Sequence, residues 1–303
     1  MRRFAGMTDL LLIATVCIWA FNVSVTKYVL THGFRPLAYA SIRYALAAVL
    51  AALFVLILER SLAVHGRRAW LLISIAALFL FGNQICFVYS LKLASATTVS
   101  LILGTTPIFA ALFASAVGLE KLSGRFWLAT LASFAGVALV ALGSGGEFSA
   151  DLGGELLAVG LSASWAAYSV CLTPLMGRYS PYRISGLVLL PMTALLLLVS
   201  IGALGDQDYG SLPALDWLAL AYAVVGPLLL TNVLWFTAIR RVGPSRATLF
   251  GNLQPFLAVI FAVLLLSEGL SGLQVAGGVL IAAGIVIGRM ESSGPEPVAS
   301  RAE

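Results

Sequence analysis

The chain has 303 residues, 60% of them hydrophobic and only 10% charged, with a mean hydropathy of +1.01 and a formal net charge of +5. A soluble domain carries about 25% charged residues, so this composition cannot cover a water-facing surface. A charge this small and scattered also excludes a nucleic-acid binder.

Apolar runs separated by short polar breaks predict ten membrane helices, at 8–31, 36–58, 69–91, 95–118, 124–143, 153–176, 184–204, 213–238, 245–267 and 271–289. Each is long enough to cross a bilayer, where a helix satisfies its own backbone hydrogen bonds. Arg2 and Arg3 precede an apolar run, as in a signal peptide. That run continues through Trp19 and Phe21 without a small-residue cleavage site, and it reads as the first helix. Cys17, Cys86 and Cys171 lie inside apolar runs with no metal-ligand spacing and read as small hydrophobes. No metal or cofactor is expected.

Basic residues set the orientation. With the N-terminus in the cytoplasm, 14 of the 18 basic residues fall on inner segments, among them Arg60, Arg67, Arg68, Lys121, Arg125, Arg178, Arg183, Arg240 and Arg241. Lys27, Arg35 and Lys92 fall at outer ends, and Arg43 lies within the second span. The outer breaks collect acids instead: Glu147, Asp151, Glu155, Asp206, Asp208, Asp216 and Glu268. Both termini are then cytoplasmic.

A shift of 148 residues superposes Pro107 on Pro255, Glu120 on Glu268, Leu122-Ser123-Gly124 on Leu270-Ser271-Gly272 and Ala135-Gly136 on Ala283-Gly284. Upstream, Trp19-Ala20 matches Trp165-Ala166 at a shift of 146, and Pro36 matches Pro181 at 145. The reading is therefore two five-helix repeats, 1–148 and 149–290, followed by a cytoplasmic tail at 291–303. Five is odd, so the second repeat enters the membrane from the opposite side, an inverted arrangement typical of secondary transporters.

The twice-used pattern of an Ala/Ser-rich helix with a central proline, then Glu120-Lys121-Leu122-Ser123, then a Gly-containing helix, resembles the EamA-type repeat of the drug/metabolite transporter superfamily. The Pro36-to-Arg43 stretch is similar to that family's second helix. The resemblance covers almost the whole chain and implies an all-α, ten-helix carrier. Many such carriers export amino acids and related metabolites, and YddG-like exporters of aromatic amino acids are one group. It also implies a central cavity lined mainly by the third, fourth, eighth and ninth helices, with the first and sixth beside them.

The residues themselves supply candidates. Ser100, Gly104 and Pro107 share one face of the fourth span, and Thr248, Asn252 and Pro255 share the matching face of the ninth. A polar stripe is costly in lipid and should face inward, where it serves either a cavity or helix packing. The two prolines can kink and are candidate hinges. Asn83-Gln84 lies over Thr231-Asn232, and Phe87 over Trp235. An amide one turn from an aromatic suits an amphipathic solute, and interhelical bonding is the competing use. Trp19 and Asn22, and Trp165 and Tyr168, repeat the scheme in the first and sixth spans. Arg43 is the one base well inside a span and a functional candidate, or else a residue that snorkels to the outer end. Asp216 reads as interfacial, and no Asp or Glu sits mid-helix.

Walker, HExxH and GxSxG motifs are absent from the sequence. A membrane-embedded enzyme would cluster titrating groups at one depth. A scaffold would not need matched polar residues in both halves. The reading is thus a secondary carrier that exports small organic metabolites, amino acids (aromatic ones included) before others, by alternating access, with a broad exporter of lipophilic drugs as the alternative. Its partners are the lipid bilayer and a small-molecule substrate. Gly284 and Gly288 form one GxxxG, read as intramolecular packing, with a monomer expected and a dimer left open. Cysteine labelling should find Ser149 and Asp206 accessible from outside and Arg67 and Arg178 from inside. Labelling of 149 and 178 from one side would overturn the helix count.

Overall fold

The computed structural model describes residues 2–118, 124–143, 150–176, 178–231, 234–235, 237–238, 250–251 and 253–289. Among them every regular element is helical. These are α1 (Arg2–Thr31), α2 (Pro36–Glu59), α3 (Arg67–Leu93), α4 (Ala96–Leu103), α5 (Thr106–Ala116), α6 (Gly124–Leu142), α7 (Ala150–Met176), α8 (Pro181–Gly205), α9 (Ala214–Val224), α10 (Gln254–Leu266) and α11 (Gly272–Arg289). A π-helical turn, Val225–Leu230, continues α9. Six helical stretches are long and apolar enough to cross a membrane, and four shorter apolar helices fall on the fifth, eighth, ninth and tenth spans.

Local sequence explains the boundaries. Pro36 and Pro181 open α2 and α8, and the residues before them, Arg35 and Ser180, are extended at ψ 136° and 148°. A proline forces that on its predecessor and loses nothing at a helix start, where its missing N–H would have no partner. Ser180 also accepts the Arg183 N–H as an N-cap. One span departs from expectation. The fourth is two helices, α4 and α5, separated by a turn at Gly104–Thr105. Pro107 does not break the ladder: it stands second in α5, where it has no bond to lose, and Pro255 stands second in α10. A Cβ on Gly104 would meet Leu101 O and Ile281 Cγ2 at 3.0 Å and Pro255 Cγ at 3.8 Å, so the fourth-span break lies against the start of α10.

The largest helix pairings are α6 with α11, α3 with α7 and α2 with α8, each joining one repeat to the other. The α6–α11 seam is the tightest. A Cβ on Gly136 would sit 2.6 Å from Gly277 O and 3.0 Å from Ile281 N, and one on Gly284 would sit 2.7 Å from Ala129 O and collide with Ser133. The shift of 148 that relates the repeats turns the Gly136–Gly277 contact into the Gly284–Ala129 contact, and Gly136–Ile281 into Gly284–Ser133. Gly143 meets Ser271 at one end of the pair, so the helices run antiparallel. A local two-fold axis perpendicular to both helices therefore relates α6 to α11, the arrangement an inverted duplication calls for.

The composition of inside and outside follows from lipid as solvent. Ala38, Ala40, Ala47, Ala76, Ala77 and Ala96 fill the interior, while Leu46, Val49, Leu53, Ile57, Leu198 and Ile201 face out. Association in lipid gains nothing from hiding large apolar groups, so small residues occupy the interfaces and allow close backbone approach.

The seam predicts a stability contrast. Gly136→Ala or Gly277→Ala should cost about 1–3 kcal/mol through overpacking. Gly202→Ala, where a Cβ would meet nothing within 4 Å, should be neutral or stabilising by up to about 1 kcal/mol. Thermal melts of the purified protein compare the three, and equal melting temperatures would refute the close-contact seam.

Candidate functional site

Arg43 lies seven residues into α2 and Gln84 nine residues before the end of α3. At 1.5 Å per residue both sit about 10–14 Å below the same end of the bundle. Arg43 does not snorkel. It is 2% exposed, and its guanidinium lies 5.4, 5.1 and 5.4 Å from the ring centroids of Tyr39, Tyr44 and Phe87. Its Nη2 donates to Gln84 Oε1 at 2.6 Å. Gln84 Nε2 donates to Asn83 Oδ1 at 2.8 Å, and Asn83 Nδ2 donates to Leu161 O at 2.9 Å. One polar chain thus runs from α2 through α3 to α7. The Thr26 and Tyr39 hydroxyls pair at 3.4 Å and join α1 to it.

The charge balance at this point is incomplete. Among the described residues no carboxylate forms an ion pair with Arg43, and its Nε–H has no acceptor. A buried cation costs several kcal/mol in desolvation. Cation–π contacts return about 0.5–2 kcal/mol each and a charge-assisted hydrogen bond about 1.5–3 kcal/mol. Rings and amide therefore hold the cation without neutralising it, and an anion entering here would find a fixed positive charge with a directed donor to spare.

The other expected residues form separate groups. Trp19 Nε1 donates to Thr231 Oγ1 at 3.0 Å and to Pro227 O at 3.3 Å, and its ring lies 5.2 Å from Trp235. Pro227 lies in the π turn, and its carbonyl accepts from both the Trp19 indole and the Thr231 hydroxyl. Trp165 and Tyr168 pair at 5.3 Å, with Trp165 41% exposed. Asn22 is 8% exposed, and its Oδ1 has no partner among the described residues. Asn232 and Asn252, and with them Thr248, lie outside the described residues. Gln84, Trp165 and Trp235 are thus spread over three clusters rather than gathered in direct contact. Asn83 reaches toward the second of these groups, bonding Leu161 one turn before Trp165.

Other residues were not legible as site residues. Tyr39 and Tyr44 flank Arg43 at i−4 and i+1, a spacing that signals a shared face for Tyr39. Asp216 lies in the first turn of α9, at a helix end as expected, but its side chain is shielded, and among the described residues neither of its carboxylate oxygens has a hydrogen-bond partner. Glu155 belongs to α7 rather than to a polar break, and is 5% exposed. With Lys27, Leu93, Ala94, Ser95, Thr98 and Glu268 it lines a cavity of about 260 Å³ at the α3–α4 turn.

The sequence matches the EamA-like transporter family twice, over residues 6–142 and 152–289. The chain belongs to that family. It is therefore a multi-pass membrane transporter. The transporter is 27% identical over 302 residues to a probable amino-acid metabolite efflux pump of Salmonella typhimurium, covering 95% of each chain. It is 26% identical over 272 residues to the uncharacterized transporter YyaM of Bacillus subtilis, covering 88% of this chain and 87% of that one. With the uncharacterized inner membrane transporter YedA of Escherichia coli strain K12 it shares 26% over 284 residues, covering 91% and 89%. A crystal structure with 20% identity superposes at a TM-score of 0.63, covering 94% of the transporter and 97% of that chain, which establishes the shared fold.

The Arg43–Gln84 bond yields a direct test. Gln84→Leu strands a buried guanidinium N–H and should destabilise the transporter by about 1–3 kcal/mol. Gln84→Glu, which offers a carboxylate, should recover most of that. A Gln84→Leu protein that melts with the wild type would show the bond to be energetically idle.

Proposed function

We propose that this transporter exports small organic metabolites, amino acids first, from the cytoplasm across a bacterial-type inner membrane, by alternating access between two inverted repeats. The observation that carries the substrate class is Arg43. A buried cation that pairs with no carboxylate among the described residues, ringed by three aromatic side chains, offers its charge to a substrate carboxylate and its rings to an apolar side chain. The amide pair Asn83–Gln84 fixes orientation. A relative named a probable amino-acid metabolite efflux pump agrees with this reading, and one named an inner membrane transporter agrees with the location. In the conformation described, solvent does not reach the guanidinium, so admission requires the helices around it to part. Pro107 and Pro255, beside the central break, are the proposed hinge positions, and Trp19, Asn22, Trp165, Tyr168, Asn232, Trp235 and Asn252 the proposed remainder of the path.

A broad exporter of lipophilic drugs is the second reading. It is favoured by the indole-rich pairs Trp19–Trp235 and Trp165–Tyr168.

Counterflow in proteoliposomes separates the two. Radiolabelled amino acids should exchange, and the matching amines that lack the carboxylate should not. Arg43→Gln should reduce exchange at least about tenfold, the loss of one charge-assisted bond. Equal transport of amino acids and amines, with Arg43→Gln unchanged, would remove amino acids and leave the drug-exporter reading.

A further inference from the structure

We infer that Glu268 is a latch that holds one rim of the transporter shut by capping a short helix of the opposite repeat. The inference takes the alternating-access reading as its frame and adds the residue that governs access at that rim.

Glu268 sits in the loop between α10 and α11, in the second repeat. Its two carboxylate oxygens accept the Ala96 N–H at 2.8 Å and the Thr97 N–H at 2.7 Å, the first two of α4, in the first repeat. Those N–H groups have no partner within their own helix and carry the positive end of its dipole, so a carboxylate is the strongest cap for them. Thr98 N–H is taken by Ser95 Oγ at 3.0 Å, which completes the end. Gln274 adds a second tie from the same side. Its Oε1 accepts the Ser271 N–H at 3.0 Å in a capping box, while its Nε2 donates to Thr98 Oγ1 at 3.1 Å.

Three features make this a latch rather than a fixed cap. α4 is only eight residues long, and the Gly104–Thr105 turn frees its other end. α11, which follows the latch, is fixed to α6 by the glycine seam, so Glu268 hangs from a rigid support and holds a short, separable element. Other ties at this rim lie within the first repeat, among them Lys27 Nζ to Leu91 O and Ala94 O, both at 2.8 Å, and Lys92 Nζ to Leu30 O at 3.0 Å. They survive a movement of one repeat against the other, whereas the Glu268 bonds do not. The cavity lined by Lys27, Ser95, Thr98, Glu155 and Glu268 lies directly beside the latch.

The test reads access and needs no substrate. The full chain, with Cys17, Cys86 and Cys171 replaced by Ala, carries one reporter at a time in vesicles of known orientation. Ser100→Cys is fully buried on α4, one turn below the latch, and Ala114→Cys is 8% exposed near the far end of α5. A membrane-impermeant maleimide is applied from each face. Glu268→Gln should raise labelling of Ser100→Cys from the Glu268 face by about tenfold or more, the loss of one charge-assisted bond. It should lower or leave unchanged labelling of Ala114→Cys from the opposite face, and Glu268→Asp should fall between. Increased labelling at both reporters would mean general loosening and would overturn the latch. So would an unchanged Ser100→Cys rate in a Glu268→Gln protein that melts normally. Because no solute is involved, a wrong substrate class leaves this result standing.

Discussion

The backbone contact between α6 and α11 is the constraint on which the remaining architecture hangs. Gly136 and Gly277 meet so closely that neither has room for a methyl group, and the duplication supplies the same approach again at Gly284 and Ala129. Lipid gives helices no hydrophobic reason to associate, so contact at backbone distance, with its dispersion energy, is what binds them. A contact that maps onto itself under exchange of the repeats fixes a two-fold axis across the membrane plane. The broken fourth span then comes to rest against the start of α10.

Around this seam several buried polar side chains tie one helix to another. Arg43 binds α2 to α3 through Gln84, and Asn83 carries the connection on to α7. Trp19 ties α1 to the π turn that extends α9. Polar side chains therefore serve two ends here. They compensate one another where lipid would leave them stranded, and they create local fields that a passing solute can use. The cage of Tyr39, Tyr44 and Phe87 shows the economy of the solution, since ring faces stabilise a cation without cancelling its charge.

Much of the fold was legible because lipid imposes long apolar runs, and because Pro36, Pro181, Gly136 and Gly284 recur at matched positions. Side-chain destinations were less so. Arg43 was open to two fates, since a long side chain reaches either the interface or the interior, and only the positions of Gln84 and three rings decide which. The break at Gly104–Thr105 was hidden because Pro107 is the conspicuous breaker, yet it stands where a proline does no harm. Gly226-Pro227 gave no periodic signal for a π turn, which changes the register by a single residue. Glu268 and Asp216 both looked like loop or interface acids. One of them caps a helix more than 170 positions away in sequence, and the other is enclosed by packing. Such pairings depend on tertiary neighbours that no local pattern encodes. The expected amides Asn232 and Asn252 fall outside the described residues.

The α2–α8 pair has a consequence for the bilayer itself. It is stapled at both ends, by Arg35 with Asp206 at 3.2 Å and by Glu59 with Arg183 at 2.9 Å. The first staple is open to water and holds weakly; the second is about four-fifths shielded, and Ser180 shares its carboxylate. Between the staples run 24 residues of α2, or about 35 Å of helix. Two charged rungs at that separation act as depth gauges, because neither can enter hydrocarbon without losing hydration. Such a pair has little freedom to adapt by sinking, and a thinner bilayer must be met by tilting the whole unit. Membrane thickness thereby becomes a mechanical load on the periphery of the transporter, borne by helices that stand apart from the central break.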